Sequence, residues 1–274
     1  MALFNPFRIF TDLKRLRAEA SLPQNAPQPC PVCGEQALYL DTVDFNKSCE
    51  EYKGLVFPAS GIPVHYNLCD QCGFCFAPEF RSWAFEDFER LIYNSDYELV
   101  DPEYKSIRPL NCANFVEELF GADKDKIRHL DYGGGSGLLS ETLRTGGWDS
   151  ASYDPFVNRD INPEELGVFD LITAVEVFEH VPDIDYLFNT LKKLCKPEGL
   201  ILFSTMLSDG NISRSQKLNW WYAAPRNGHV SIYSQKSLNL MASQHGLQFA
   251  SYSPQWHTMH QQLPGWAHPQ RNSK

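Results

Sequence analysis

Six of the eight cysteines fall between positions 30 and 75. They read Cys30-Pro-Val-Cys33-Gly34, then Cys49, then Cys69-Asp-Gln-Cys72-Gly73-Phe-Cys75. Each Cys-x-x-Cys-Gly turn aims two thiolates at one point, and its glycine permits the positive φ that closes the turn. Two such turns make a tetrahedral zinc set, so Cys30, Cys33, Cys69 and Cys72 are the expected ligands of a structural Zn2+. The 35 residues between Cys33 and Cys69 suit a zinc ribbon with an inserted hairpin. Cys75 is a spare thiol that is able to replace a ligand, and His65 is a weaker substitute. A thioredoxin-like redox pair and an empty relic site are the alternatives. Cys49, Cys112 and Cys195 read as ordinary buried thiols. A ribbon this small has little apolar core, so the metal would supply its folding free energy.

The second chemical feature is Asp131-Tyr132-Gly133-Gly134-Gly135-Ser136-Gly137, set between the apolar run Ile127–Asp131 and a helix carrying Leu138, Leu139 and Leu143. A glycine loop there lets backbone approach a ligand with helix N–H groups facing it. A dinucleotide site of the form Gly-x-Gly-x-x-Gly needs a third glycine where Leu138 or Ser140 stands. An acid at the end of the strand favours a ligand bearing an ammonium and a sulfonium over a pyrophosphate. Asp154, ending the next strand, is placed to bridge the two hydroxyls of a ribose.

The elements that must hold these groups alternate between strand and helix. Strands are expected at 127–131, about 148–154, 169–175 and 200–204, with a last one from Leu247. Between them, Ile184, Leu187, Phe188, Leu191, Leu194 and Cys195 share one helical face, and another helix opens at Ser234. Earlier helices are expected around Trp83–Tyr93 and Phe115–Phe120. This alternation implies an α/β fold, an open and mainly parallel Rossmann-like sheet with helices on both faces, plus the small N-terminal zinc ribbon. The division expected is an N-terminal helix at 1–25, the ribbon at 26–80, a helical lid or connector at 81–121, and the cofactor-binding domain at 122–274.

The 274 residues carry a net charge of −10, with 43% hydrophobic and 13% aromatic residues, which excludes global disorder and a disulfide-stapled miniprotein. No apolar run reaches the roughly 18–20 residues of a membrane span. Residues 1–21 lack the uninterrupted apolar core of a secretory signal, so the expected compartment is the cytoplasm. The acidity argues against nucleic acid as the main partner, but it is uneven. From Thr205 to Lys274 one acid stands against six bases, a net +5, while the preceding residues are net −15. Residues 81–104 lean acidic, with seven acids and two bases.

Four segments in order look like the successive motifs of class I S-adenosylmethionine-dependent methyltransferases. They are Leu130-Asp-Tyr-Gly-Gly-Gly-Ser-Gly, Ser152-Tyr-Asp154-Pro, the run Phe169 to Asp183 with Glu176, Glu179 and His180, and Lys196-Pro-Glu-Gly-Leu200. The ribbon followed by Tyr93-Asn-Ser-Asp-Tyr97 resembles the zinc-ribbon branch that includes sugar C-methyltransferases. This resemblance implies methyl transfer with S-adenosylmethionine as cofactor, alongside Zn2+. It also implies that Asp131, Gly133 and Gly135 hold the methionine part and Asp154 the ribose. Tyr132 or Tyr97 would face the sulfonium, where an aromatic ring contributes about 0.5–2 kcal/mol. Asp160 is the candidate acid for the adenine, and Glu176 lines the crevice beyond the strand ends.

His229 is the expected general base, with His180 the second candidate. The alternative for His229 is a ring that ties down the loop backbone; for His180, the resemblance implies a structural Glu-His pair that caps the next helix through its backbone. Trp220, Trp221 and Tyr222 are candidates for stacking on a ring-bearing acceptor. Arg214, Lys217 and Arg226 beside His229 suggest a small anionic or sugar-like acceptor, methylated on oxygen or carbon, because guanidinium forks pair with carboxylate or phosphate; a solvated basic face is the alternative. The competing readings are an RNA methyltransferase using the ribbon for recognition, a non-catalytic cofactor-binding scaffold, and a dehydrogenase. Oligomeric state is not legible.

Overall fold

The computed structural model describes residues 27–267; the expected helix at 1–25 lies outside them. In chain order the strands are β1 (Gln28–Pro29), β2 (Gln36–Asp44), β3 (Pro63–Leu68), β4 (Cys75–Phe76), β5 (Arg128–Tyr132) and β6 (Asp149–Tyr153). Then come β7 (Phe169–Val175), β8 (Cys195–Ser204), β9 (Ser231–Ile232), β10 (Gln248–Ser251) and β11 (Trp256–His260). The α-helices are α1 (Phe85–Leu91), α2 (Tyr97–Val100), α3 (Ile107–Phe120), α4 (Leu138–Thr145), α5 (Ile184–Leu194) and α6 (Gln235–Gln244). No helix among the described residues is long and apolar enough to cross a membrane.

The chain divides into two compact units. Among the described residues, one gathers 27–102, Glu179–Ile184 and Met206–Leu240; the other gathers Glu103–Phe178, Asp185–Thr205 and 241–267. The sequence reading kept 122–274 together. Residues 206–240 instead join the ribbon, because β9 pairs antiparallel with β4 through Cys75–Ile232 and Phe76–Ser231.

The ribbon unit is a five-stranded sheet in the order β1-β2-β3-β4-β9. Its two cysteine turns are built alike. Gly34 N–H donates to the Cys30 carbonyl at 2.9 Å and Gly73 N–H to the Cys69 carbonyl at 2.8 Å, and both glycines have φ +76°. Behind them Phe74 stacks on Phe76 at 5.5 Å and meets Tyr233 at 5.0 Å.

The second unit carries a six-stranded sheet in the order β10-β11-β8-β7-β5-β6. β6, β5, β7 and β8 are parallel, and β11 and β10 extend the edge antiparallel. β11 was not foreseen in the sequence. Strand alternation supplies two apolar faces. Leu171, Leu200 and Leu202 pack with Val116, Phe120, Leu139 and Leu143 of α3 and α4. Phe203 points the other way and stacks on Phe178 at 4.1 Å, which in turn meets Phe188 of α5 at 5.4 Å. The periodic residues of α5 are all at least 98% buried. β5 is flanked by β6, the next strand in sequence, and by β7 on its other side. The chain therefore reverses direction across the sheet at β5, and ligands of such folds bind outside the strand ends there.

Candidate active site

β5 delivers Asp131 to that point, 3% exposed, with the Thr173 hydroxyl of β7 donating to Oδ1 at 2.9 Å. Burial pushes its carboxyl up to about 7, and the nearby Asp154 acts in the same direction. The glycine loop then turns over the end of β6. Gly133 N–H donates to the Tyr153 carbonyl at 2.7 Å, and Gly135 N–H to Asp154 Oδ2 at 2.9 Å. Asp154 Oδ1 accepts from Phe156 N–H at 2.8 Å, so both carboxylate oxygens are aimed by backbone.

Gly133 and Gly135 have φ +75° and +54°. A Cβ on Gly133 would run into Val177 Cγ2, whereas one on Gly135 meets nothing within 4 Å and would stand in open space. The loop is thus backed against the protein at Gly133 and open at Gly135. Gly133→Ala combines a left-handed φ with an overlap, at about 2–4 kcal/mol together. We expect its thermal midpoint to fall by several degrees, with the double variant Gly133→Ala/Val177→Ala regaining part of that loss in the same melt.

At the end of β7 stands Glu176. It and Lys217 are the two non-glycine residues with positive φ among those described. Ser204 holds it there: Glu176 N–H donates to Ser204 Oγ at 2.9 Å and the Ser204 hydroxyl donates to Glu176 Oε1 at 2.8 Å. Strained backbone kept by specific partners is a mark of functional sites. Tyr132 is buried beside Tyr153, ring centroids 5.6 Å apart, and burial raises its phenol above the ordinary range. Asp160 lies exposed on a turn, and no strand occurs between Asp154 and Phe169. Asp131, Tyr132, Gly133, Gly135, Asp154, Asp160 and Glu176 share one unit, whereas Tyr97 belongs to the ribbon unit. There its hydroxyl donates to the Asn227 carbonyl at 3.2 Å.

The ribbon unit brings the two histidines together. His180 and His229 rings are 4.9 Å apart, and ligand-capable atoms of Glu179, His180 and His229 lie within 4.8 Å of one another. His229 Nδ1 is 2.8 Å from the Tyr222 carbonyl, which only accepts. That fixes the proton on Nδ1 and makes Nε2 the accepting nitrogen. The Tyr222 hydroxyl donates to Glu179 Oε1 at 2.5 Å, with Glu179 fully buried. Tyr66 O–H holds the His229 carbonyl at 2.7 Å. Tyr222, for which the sequence left a stacking surface and a core position open, is an internal strut 2% exposed. The part played by Glu179 was missed, although its place in Glu176-x-x-Glu179-His180 was a signal.

Of the three basic residues expected to clamp an anion, Arg226 and Arg214 are otherwise engaged, and Lys217 stands exposed. Arg226 is 4% exposed and donates to the Ile92 carbonyl at 3.1 Å. Arg214 forks onto Asp70 at 3.0 and 3.1 Å and donates to the Tyr39 and Leu68 carbonyls, both at 2.8 Å, tying β2 to β3. Charge counts do not distinguish a structural guanidinium from a ligand-facing one, and here both are structural.

The four knuckle sulfurs also lie within 4.8 Å of one another, with Cys30–Cys72 and Cys33–Cys69 each at 3.5 Å, as free thiols. Tetrahedral Zn–S bonds of about 2.3 Å put sulfurs about 3.8 Å apart, so the set fits the ion. Cys75 lies on β4 outside the set, fully buried, and His65 Nδ1 pairs with Glu79 at 2.5 Å.

Compared with known proteins, residues 104–252, more than half of the chain, match the family described as "Methyltransferase domain". The chain belongs to that family. The class I methyltransferase resemblance drawn from the motifs therefore holds, as does the open, mainly parallel sheet with helices on both faces that this methyltransferase domain contains. A protein of Bordetella avium (strain 197N) named ubiquinone biosynthesis O-methyltransferase is 28% identical, over 39% of this chain and 55% of that protein. One of the same name from Rhizobium etli (strain CIAT 652) is 31% identical, over 36% and 50%. The chain spans about half the length of the curated relatives it matches. Among solved structures, an O-methyltransferase family protein from Burkholderia thailandensis is similar at 14% identity and a TM-score of 0.46, covering 67% of this chain and 64% of that one.

Proposed function

We propose that this methyltransferase domain binds S-adenosylmethionine and transfers its methyl group to the hydroxyl oxygen of a small-molecule acceptor. The observation that carries the reading is the cradle of Asp131, the open loop at Gly135 and Asp154. Its donor set fits the cofactor: a buried carboxylate for the ammonium, a backbone path clear of side chains, and a second acid at the next strand end for the ribose. When bound, the cofactor supplies an electrophilic methyl carbon whose bond electrons leave with sulfur. Asp131 would pair with the cation, Asp154 would fix the ribose, and Tyr132 or Tyr97 would present an aromatic ring to the sulfonium. Glu176 lines the crevice, and Asp160 reaches the adenine from its exposed turn. His229 Nε2 takes the acceptor proton, with the tautomer set by the Tyr222 carbonyl and His180 beside it. The two relatives named as O-methyltransferases support oxygen over carbon as the acceptor atom. With Arg214 and Arg226 committed to backbone, acceptor charge has no clamp from them, and a neutral phenol or sugar hydroxyl fits as well as an anion.

The test is release of S-adenosylhomocysteine with a panel of phenolic, catecholic and sugar acceptors. His229→Gln should lower kcat about 100-fold or more while cofactor affinity stays within twofold. Equal loss of both would remove the base role. A second reading rests on the 4.8 Å grouping of Glu179, His180 and His229. Two imidazoles and a carboxylate are ligands for a divalent cation, which would acidify a bound hydroxyl directly. With Zn2+ held in the medium so that the ribbon stays loaded, activity that rises with added Mn2+ or Fe2+ favours the cation, and indifference to both favours His229 as base.

We also infer that Cys30, Cys33, Cys69 and Cys72 hold one structural Zn2+. The ribbon serves the fold of its own unit, which carries His180 and His229.

A further inference from the structure

Behind Asp131 the sheet contains a line of polar side chains that cofactor binding does not account for. His129 is fully buried two residues before Asp131 on β5. Its Nδ1 is 2.7 Å from Ser150 Oγ and its Nε2 is 3.0 Å from Thr173 Oγ1. Ser150 Oγ is 2.8 Å from Ser140 Oγ, and Arg144 donates to Ser140 Oγ at 2.9 Å. At the other end the Thr173 hydroxyl donates to Asp131.

The two ends set every proton between them. Arg144 only donates, so Ser140 accepts from it and passes its own hydrogen to Ser150. Ser150 then donates to His129 Nδ1. The imidazole carries its proton on Nε2 and donates to Thr173, whose hydrogen is left for Asp131. A carboxylate only accepts, so the chain terminates correctly on an ionised Asp131. A second proton on His129 would turn its Nδ1 against the Ser150 hydroxyl and reverse the line towards Arg144. Full burial opposes that proton as well and lowers the imidazole to about 3.

We propose that Thr173 and His129 are positioning residues for Asp131: the one-way chain Arg144–Ser140–Ser150–His129–Thr173 presents a hydroxyl hydrogen that holds Asp131 as the carboxylate a cationic ligand requires. The proposal rests on the S-adenosylmethionine reading of the site and adds to it a pH-dependent affinity. Below the carboxyl's titration the ligand must displace a proton, and affinity falls tenfold per pH unit. Burial places that break near pH 7 in the ligand-free protein. The other titratable groups facing Asp131 are Asp154 and the Cys112 thiol of α3, which itself lies near Arg108 and Glu176. Burial pushes Cys112 up to about 12, so it stays protonated throughout.

The experiment is calorimetric titration with S-adenosylmethionine from pH 5.5 to 8.5 for wild type, Thr173→Val, Thr173→Ser and His129→Gln. Wild type should show a break near pH 7. Thr173→Val, close in shape but unable to donate, should move the break up by about one unit and weaken binding about fivefold at pH 7 and about tenfold at pH 6, and Thr173→Ser should restore it. In the ligand-free protein, nitrogen NMR should find His129 as the neutral Nε2–H tautomer down to pH 5, and the Asp131 carboxyl carbon should titrate higher in Thr173→Val. Coincident breaks in wild type and Thr173→Val, or a charged His129 at pH 5, overturn the positioning role while leaving the cofactor reading in place. No binding by wild type at any pH overturns the cofactor reading and the ligand named here with it.

Discussion

With Zn2+ on Cys30, Cys33, Cys69 and Cys72 as proposed, stripping it will unfold the ribbon unit and abolish methyl transfer while leaving cofactor binding in place. The four sulfurs gather the turn before β2 and the turn after β3, where Arg214 and Ser234 add hydrogen bonds but no metal-strength link. Structural zinc sites contribute about 10–16 kcal/mol in small domains. Whole domains are stable by about 5–15 kcal/mol, so no other interaction in the unit replaces that amount. The loss reaches the chemistry because Tyr66 and Tyr222, which hold His229 and Glu179, stand in the same unit. Asp131, the glycine loop and Asp154 stand in the other. Elemental analysis should find one Zn2+ per chain, and thiol blocking with a chelator, or Cys69→Ser, should erase the near-ultraviolet signal of the buried tyrosines. A zinc-free protein that melts with full amplitude would end the zinc reading.

Asp131→Asn will abolish cofactor binding and yet stabilise the ligand-free protein above neutral pH. The carboxyl is raised from its ordinary value near 4 to about 7, chiefly by burial. Between those values the folded chain binds a proton that the unfolded chain has already released. The stabilisation from that proton is therefore fully present below pH 4 and lost as pH rises through 7. Asparagine has no such loss. The variant should melt at the wild-type temperature near pH 4 and several degrees higher at pH 8, a difference bounded by about 4 kcal/mol. Its affinity for S-adenosylmethionine should drop about 100-fold or more, because the ligand's cation loses its buried counter-charge. Wild-type affinity in the variant would remove Asp131 from the site, and equal melting at pH 8 would show that the carboxylate finds compensation other than Thr173.

Both chemical features of this chain were readable because each demands particular residue types at short spacing. A cysteine turn needs its glycine at a fixed offset, and a ligand loop needs an acid before its glycines. Helix α5 was readable from periodicity, since all five of its apolar positions are buried. What escaped depends on partners far away in sequence. β9 has two residues and is a strand only because β4 is beside it. β11 hides in Trp256-His-Thr-Met-His260, where His257 and Thr258 are buried with the apolar residues and blur the alternation. Arg226 and Arg214 looked like an anion clamp because charge counts ignore the carbonyls and carboxylate a guanidinium already serves, which only the packed chain reveals. His129 and Thr173 looked like unremarkable polar residues within apolar strands, and their meaning lies in the directions of hydrogen bonds between strands.

The pairing of β4 with β9 also sets a timetable for synthesis. Cys75 must wait for Ile232, about 150 residues further along the chain. At ribosomal speeds of about 5–20 residues per second, that is a delay of roughly 8–30 s. During it the zinc knuckles are complete, but the edge of β4 is bare and Phe74 has no Tyr233 to cover it. A nascent chain in that interval presents an open strand edge beside exposed aromatic side chains, the combination that draws chaperones or aggregation.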